Sequence, residues 1–410
     1  MTTCRIRPFR LRNSIQHYAW GTRDREAFIP HFLGILPEAE RPYAELWIGA
    51  HPSAPSEVFC DDGQRVSLES YLSEFPEQLL GTRCIQHHGN RLPFLLKILS
   101  ASEPLSIQAH PSAAQAIELH KALPQHYPDT SAKPEFAFAL DGLTALVGFQ
   151  PADRISETLT RYPEIREILD PERKLRDSVS IQEHFKSCLQ TLLACYSEAT
   201  IDPQARLHSL VQRLHILGDH LDERERLFLE MYERYGARDV GLIFIFLLNL
   251  VTLEQGQAIF LEAGVPHAYL RGNIIECMSN SDNVIRAGLT PKFIDLENLP
   301  RVLDYSLQWP EILDALPEER SVHYTHNGHP FEVVHFQWGA DESEQMESDG
   351  ALRLVLVTHG NLKIYWENES SSCCASLRRG HSMLIPANLS RYSYKMITDV
   401  ELFEVRLPQQ

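Results

Sequence analysis

The chain has 410 residues, more than one hydrophobic core organises, so two or three domains are expected. Hydrophobic residues make up 43% and charged residues 23%, as in an ordinary soluble globular protein; a formal net charge of −17 disfavours non-specific binding to nucleic acid or an anionic membrane. An anionic substrate would therefore need a local gathering of cations, and eight cysteines without a CxxC pair are too sparse for a disulfide scaffold, which points to a reduced, cytoplasmic protein.

The N-terminus, MTTCRIRPFRLRN, lacks the apolar core of a signal peptide. Residues 1–150 read as mostly β: LWIGA, RVSLESYL and PFLLKILSA are short apolar runs bounded by Pro, Gly or Ser. PLSIQAHP, from Pro104 to Pro111, reads as a strand closed by proline at both ends, and KPEFAFAL, from Lys133 to Leu140, alternates as a strand should. From Pro151 the text turns helical. Apolar residues recur at three and four through ISETLTRYPEIREIL, SIQEHFKSCLQTLLACYSEA, PQARLHSLVQRLHILGDHL and ERERLFLEMYERYG, which predicts an insertion of three to five helices over 151–240. The apolar run Leu242 to Leu253 is too short to span a bilayer and reads as a buried helix or strand. β character resumes over 241–310, and again over 311–410 in EVVHFQW, LRLVLVTHGNLKIYW, HSMLIPA and VELFEVRL. The sequons at Asn368 and Asn388 carry no weight without secretion.

Two stretches echo one another. GQAIFLEAGVPHAY (Gly256 to Tyr269) and GHSMLIPANLSRYS (Gly380 to Ser393) both run glycine, apolar strand, turn, then a polar residue: His267 in the first, Arg391 in the second. Jelly-roll barrels use such strand–turn–strand hairpins near the barrel mouth, so the chain is expected to hold two related barrels, the second without its ligand.

Chemistry concentrates in PHAYLRGNIIECMSNSDNVIRAGLTPKF, which places His267, Glu276, Asp282, Arg286 and Lys292 among apolar residues. Buried charges cost several kcal/mol each unless paired or metal-bound, so a fold rarely carries so many for packing alone. Upstream, Gln108 and His110 lie two apart on the predicted strand and so share a face, and Glu135 lies on the next. Two imidazoles, one carboxylate and one amide oxygen suit zinc, with manganese, cobalt or iron as other takers, and leave positions for a Lewis-acid role. HExxH, P-loop, GxGxxG and GxSxG motifs are all absent.

QHYAWG (Gln16 to Gly21), PYAELWIGAHPSAPS (Pro42 to Ser56), PFLLKILSASEPLSIQAHP (Pro93 to Pro111), KPEFAFAL and the PHAYLRGN block together resemble the type I phosphomannose isomerases, in order and at similar spacing over nearly the whole chain. The resemblance implies a mostly β protein with an α-helical insertion: two cupin-type jelly-roll barrels, a catalytic one from 1–150 and 241–310, a degenerate one from 311–410, and a helical domain at 151–240. It implies one Zn2+ per chain on Gln108, His110, Glu135 and His267, and Arg286 as the catalytic arginine. Trp20, Lys97, Ser106, Lys133 and Lys292 match positions that line the family's substrate pocket. Some relatives carry a histidine just before the lysine matching Lys133; here that position is Ala132, so the base must lie elsewhere.

The implied reaction interconverts mannose 6-phosphate and fructose 6-phosphate through an enediol, feeding mannose and GDP-mannose metabolism, in a cytoplasmic and monomeric enzyme without nucleic-acid or membrane partners. It needs oxyanion stabilisation, for which Arg286 is suited, and a base, for which Glu276 and Asp282 are the candidates. Two rival readings use the same fold: a non-catalytic cupin sugar-binding or regulatory protein, and a metal-dependent cupin oxygenase using iron on two histidines and a carboxylate.

Overall fold

A computed structural model describes residues 6–60, 63–200, 202–314, 316, 319–368 and 371–409. Cys4 and the last two positions of the Asn368 sequon lie outside the described residues. The protein is mostly β-sheet with several helices, and among the described residues no helix is long and apolar enough to cross a membrane.

Among the described residues the strands form three sheets. The nine-stranded sheet runs Ala258–Leu261, Glu135–Phe149, His267–Ser279, Phe94–Ala101, Glu45–Ile48, Ser14–Gln16. Off this path, Ile107–Ala109 pairs with both His267–Ser279 and Ile285–Gly288, and Leu248–Glu254 pairs with Glu135–Phe149. An eight-stranded sheet holds Ser321–Tyr324, Glu332–Trp338, Val400–Arg406, Arg353–His359 and Ser382–Ile385, and continues into Phe9–Arg12, Glu57–Phe59 and Arg65–Ser67. The chain's first strand therefore belongs with its last ones. A four-stranded sheet, Ser343–Glu347, Arg391–Met396, Asn361–Asn368 and Ser371–Arg378, completes the β structure.

Between Glu135–Phe149 and Leu248–Glu254 lie the helices Ala152–Arg161, Pro163–Leu169, Ser178–Ser197, Gln204–Leu217, Glu223–Tyr235 and Gly241–Leu247. Their apolar stripes meet in one core with Phe149, Phe185, Phe228, Phe244 and Phe246, each at most 1% exposed. Asp177 and Asp222 open two of these helices with reciprocal capping boxes, satisfying the first free amides.

Four local expectations change. RVSLESYL is a strand only over Arg65–Ser67; Leu68–Glu74 is helical, because Leu68, Tyr71 and Leu72 recur at helical spacing and are buried together. Helices also occur at Phe28–Leu33, Pro76–Leu79, Thr82–His88 and Ala113–Ala122, so the first 150 residues are less purely β than their apolar runs suggest. The run Leu242 to Leu253 is both alternatives in succession: a fully buried helix to Leu247, then a strand. Lastly, the two strands of the first echoed stretch do not pair with each other; both pair with Glu135–Phe149. The turn between them is occupied elsewhere: Gly264 N–H donates to His110 C=O (2.8 Å), and Pro266 C=O accepts from Gly148 N–H (2.8 Å). In the second stretch the strands belong to different sheets, and Arg391 is 81% exposed against Glu347.

Two glycines set the bend behind the site. Gly272 (φ 138°) crosses Gly142 so closely that a Cβ would sit 2.1 Å from the Gly142 oxygen, at the register shifts that turn the strand His267–Ser279.

Candidate active site

Strand register assembles the site. His267 lies opposite Gln108, and Gln108 opposite Arg286, so one row across three strands carries an imidazole, an amide and a guanidinium. A parallel row sets Trp47 beside Lys97, Lys97 beside Glu276, and Glu276 beside Ala137, two residues from Glu135 on the same face.

His110, Glu135 and His267 are buried and place one ligand atom each within 4.8 Å of one another. His110 Nε2 lies 3.2 Å from Glu135 Oε1, and His267 Nε2 lies 3.3 Å from Glu135 Oε2. Gln108 Nε2 is 3.4 Å from His267 Nε2, and turning the amide over presents its oxygen instead. The far nitrogens are fixed by the backbone. His110 Nδ1–H donates to Asn283 C=O (2.9 Å) and His267 Nδ1–H to Val265 C=O (2.9 Å), which leaves both Nε2 lone pairs facing inward.

Whether a metal fits can be judged from this arrangement. His110 Nε2 and Glu135 Oε2 are buried without a well-directed hydrogen bond, a costly state for polar atoms unless an ion takes them. Tetrahedral zinc with bonds of about 2.0–2.2 Å spaces its ligands about 3.3–3.6 Å apart, close to the three separations just given. Protonation agrees. Burial, then the neighbouring Lys133 ammonium, pushes His110 down to about 4, so its ring is neutral. Burial alone would raise Glu135; Lys133, at 2.8 Å, and His110 outweigh it and hold the carboxyl well below the usual range.

The second row is a buried charge cluster. Lys97 Nζ donates to Glu276 Oε2 (3.0 Å) and lies 3.8 Å from Glu45 Oε2. Burial works against the Lys97 charge, but Glu276 and Glu45 outweigh it and hold the ammonium above its ordinary pKa. Glu276 is pushed up by burial, with Glu135 and Glu45 adding to the effect and Lys97 opposing it. Arg286, half-buried, makes no hydrogen bond or ion pair among the described residues, and burial lowers its pKa.

The other candidates are less central. Asp282 is exposed; the hydrogen bond from His51 Nε2 (3.3 Å) holds it below its ordinary pKa. Trp20 is half-buried and stacks on Tyr18, Ser106 is half-buried before the Gln108 strand, and Lys292 is exposed. Ala132 accepts from Ser279 Oγ (2.6 Å) through its carbonyl and offers the site no proton carrier.

Residue patterns missed three contributors. Asp129 gathers the loop after Ser279: its carboxylate accepts from Ser281 Oγ, Asp282 N–H and Asn283 Nδ2, fixing the carbonyl that orients His110. Tyr269, two residues beyond His267, keeps a buried hydroxyl near Glu276; burial, then Glu276 and Glu135, hold the phenol well above its ordinary pKa. Period-two alternation from His267 was the available signal for Tyr269. Asp239 is the third: its carboxylate accepts from Gly241, Leu289 and Thr290 amides and pins the end of the Arg286 strand.

Comparison with known proteins agrees. Residues 8–152 match the model of the phosphomannose isomerase type I catalytic domain. Mannose-6-phosphate isomerase 1 of Arabidopsis thaliana is 40% identical over 316 residues, 74% of this chain and 72% of that protein. The human mannose-6-phosphate isomerase is 36% identical over 313 residues, 73% of this chain and 74% of its own. A zinc-bound crystal structure of a mannose 6-phosphate isomerase superposes over 98% of this chain and 100% of its own, with a TM-score of 0.81 at 28% identity. A phosphomannose isomerase from Salmonella typhimurium covers the same shares with a TM-score of 0.83 at 27% identity. With its sequence and fold thus matched, the chain belongs to the type I phosphomannose isomerase family.

Proposed function

We propose that this chain is a zinc-dependent aldose–ketose isomerase that interconverts mannose 6-phosphate and fructose 6-phosphate. The observation that carries the reading is the buried His110–Glu135–His267 group, whose His110 Nε2 and Glu135 Oε2 lack a well-directed hydrogen bond among the described residues, near an Arg286 side chain that none of those residues pairs. Gln108, His110, Glu135 and His267 would hold the ion, which when bound would supply Lewis-acid polarisation of the sugar's oxygens.

The chain's own groups do the rest. The C2–H bond breaks and its electron pair forms the C1=C2 bond of the enediol as O1 is protonated. Glu276 takes the C2 proton and returns it to C1, while the O2 hydroxyl loses its proton to leave the C2 carbonyl, so the net hydroxyl-proton movement is from O2 to O1. Glu276 suits this better than Asp282, because burial raises its pKa towards the working range whereas His51 holds Asp282 low. Lys97 holds the Glu276 carboxylate in place. Arg286 forks onto the developing enediolate with a charge that no carboxylate among the described residues takes up. Trp20 and Ser106 line the sugar. Lys97 and Lys133 are committed to Glu276 and Glu135, which leaves the exposed Lys292 as the cation for the phosphate dianion.

The same reading takes the architecture as a catalytic cupin-type jelly roll from 1–150 and 241–310, a helical domain at 151–240 and a degenerate cupin barrel at 311–410. It takes the protein as a cytoplasmic monomer. The test is turnover of mannose 6-phosphate to fructose 6-phosphate in deuterated water. Deuterium enters the transferred position, a chelator stops the reaction and zinc restores it. Full turnover after complete metal removal, or none in zinc-loaded protein, overturns the assignment.

A further inference from the structure

A second group of two histidines and a carboxylate lies outside the site described above. His326 Nδ1 is 3.1 Å and His329 Nε2 2.6 Å from the same oxygen, Glu262 Oε1. The ligand atoms lie within 4.8 Å of one another, and the two ring centroids are 4.8 Å apart.

Local chemistry builds the pair. His326-Asn327-Gly328-His329 is a tight turn: His329 N–H donates to His326 C=O (3.2 Å), and Gly328 takes φ 89°, as the third residue of a type II turn requires. The turn brings its first and last residues together, so both imidazoles leave the same side. Glu262 comes from the other sheet, directly after the strand Ala258–Leu261. His329 is packed between Phe260 and Phe331; its side chain is 2% exposed and its Nδ1 is buried without a partner. His326 and Glu262 are open to solvent, 45% and 40% exposed, and line a cavity of about 270 Å³ that also presents Asp304 and Glu311. The cluster thus has one rigid ligand, two reachable ones and an entry path with room for water.

We infer that Glu262, His326 and His329 form a second site for a divalent transition-metal cation of the zinc class. Two imidazoles and one carboxylate are the donors such ions take, and the cavity supplies solvent for the remaining positions. On binding, the ion displaces the protons shared between the rings and Glu262. It would join the turn before Glu332–Trp338 of the eight-stranded sheet to the turn 262–266. That second turn carries the Val265 carbonyl that orients His267 and the Gly264 amide that bonds the His110 carbonyl. The site is therefore structural, and it braces the loop behind the first metal group.

The test is zinc stoichiometry of the full chain after equilibrium dialysis against buffered micromolar zinc, read by mass spectrometry. His326→Ala, at an exposed ring, and Glu262→Gln should each hold about one zinc fewer than the unmodified chain, while His110→Ala keeps that equivalent. Zinc should also raise the melting temperature of the His110→Ala protein, and not that of the His110→Ala/His326→Ala protein. Equal zinc content in the unmodified chain and in both Glu262→Gln and His326→Ala overturns the inference. Because the readout is the difference at His326 and Glu262, it stands or falls independently of the isomerase reading.

Discussion

Arg286 is where charge and function separate most cleanly. Its guanidinium is half-buried yet unpartnered among the described residues, which is unfavourable unless something anionic arrives. Arg286→Ala is expected to keep its zinc and lose about 10²–10³ in kcat, the scale of one lost oxyanion donor. Steady-state kinetics beside metal analysis checks this, and Arg286→Lys should recover little, because an ammonium cannot fork across two oxygens. Lys97 presents the opposite case, a cation whose partners are all protein. Lys97→Met leaves Glu276 and Glu45 facing each other in the interior. It should lower unfolding stability by about 3–5 kcal/mol in a denaturant titration, and the additional change Glu276→Gln should return part of it.

At the scale of elements, the metal group depends on loops that never touch the ion. Asn283 Nδ2 donates to Asp129 and to the Ser131 carbonyl, and so holds the carbonyl that receives His110 Nδ1–H. Asn283→Ala should weaken zinc binding about 10–100-fold, as other losses of ligand-orienting bonds do, with the fold intact by circular dichroism. In the strand Glu332–Trp338, His335 stacks on Phe403 (4.4 Å between ring centres) and sits edge-on to Phe138, and burial pushes it down to about 4. The unfolded chain takes up this proton near pH 6.5, whereas the folded one resists until about 4. Stability from the neutral ring is therefore complete above pH 6.5 and is lost as pH falls towards 4, by up to about 3 kcal/mol. His335→Phe should flatten that part of the stability–pH curve; an unchanged slope would falsify the assignment to this ring.

The whole molecule is tied together across its sheets. Phe9–Arg12 pairs with Ser382–Ile385 on one side and with Glu57–Phe59 on the other. Phe136 and Phe138 pack against Tyr324, and Phe138 also against Phe403. Gly81 meets the Gly350 carbonyl so closely that a Cβ there would lie 2.1 Å from it. A fragment of residues 1–310 strips Phe9–Arg12 of its Ser382–Ile385 partner, leaving it only Glu57–Phe59, and puts Phe136 and Phe138 in water. It is therefore expected to be insoluble or unfolded, as expression with circular dichroism would reveal.

Much of this protein was legible along the chain. Helical spacing announced the segment after Pro151, the ligand types suited an ion, and the family resemblance carried by the PHAYLRGN and other blocks implied its reaction. The helices rest on a short-range rule of period that neighbouring residues satisfy by themselves, and the ion on donor type, which is read without knowing which donors meet. Tertiary structure alone decided which atoms meet: Gln108 reaches His267 across 159 residues, Lys97 and Lys133 turn to carboxylates, and Asp282 stays outside. It also set Glu262 against the turn that carries His326 and His329, the latter 67 residues further along the chain. Such meetings depend on strand register and burial, set by the packing of all the sheets together, and no local stretch carries that information.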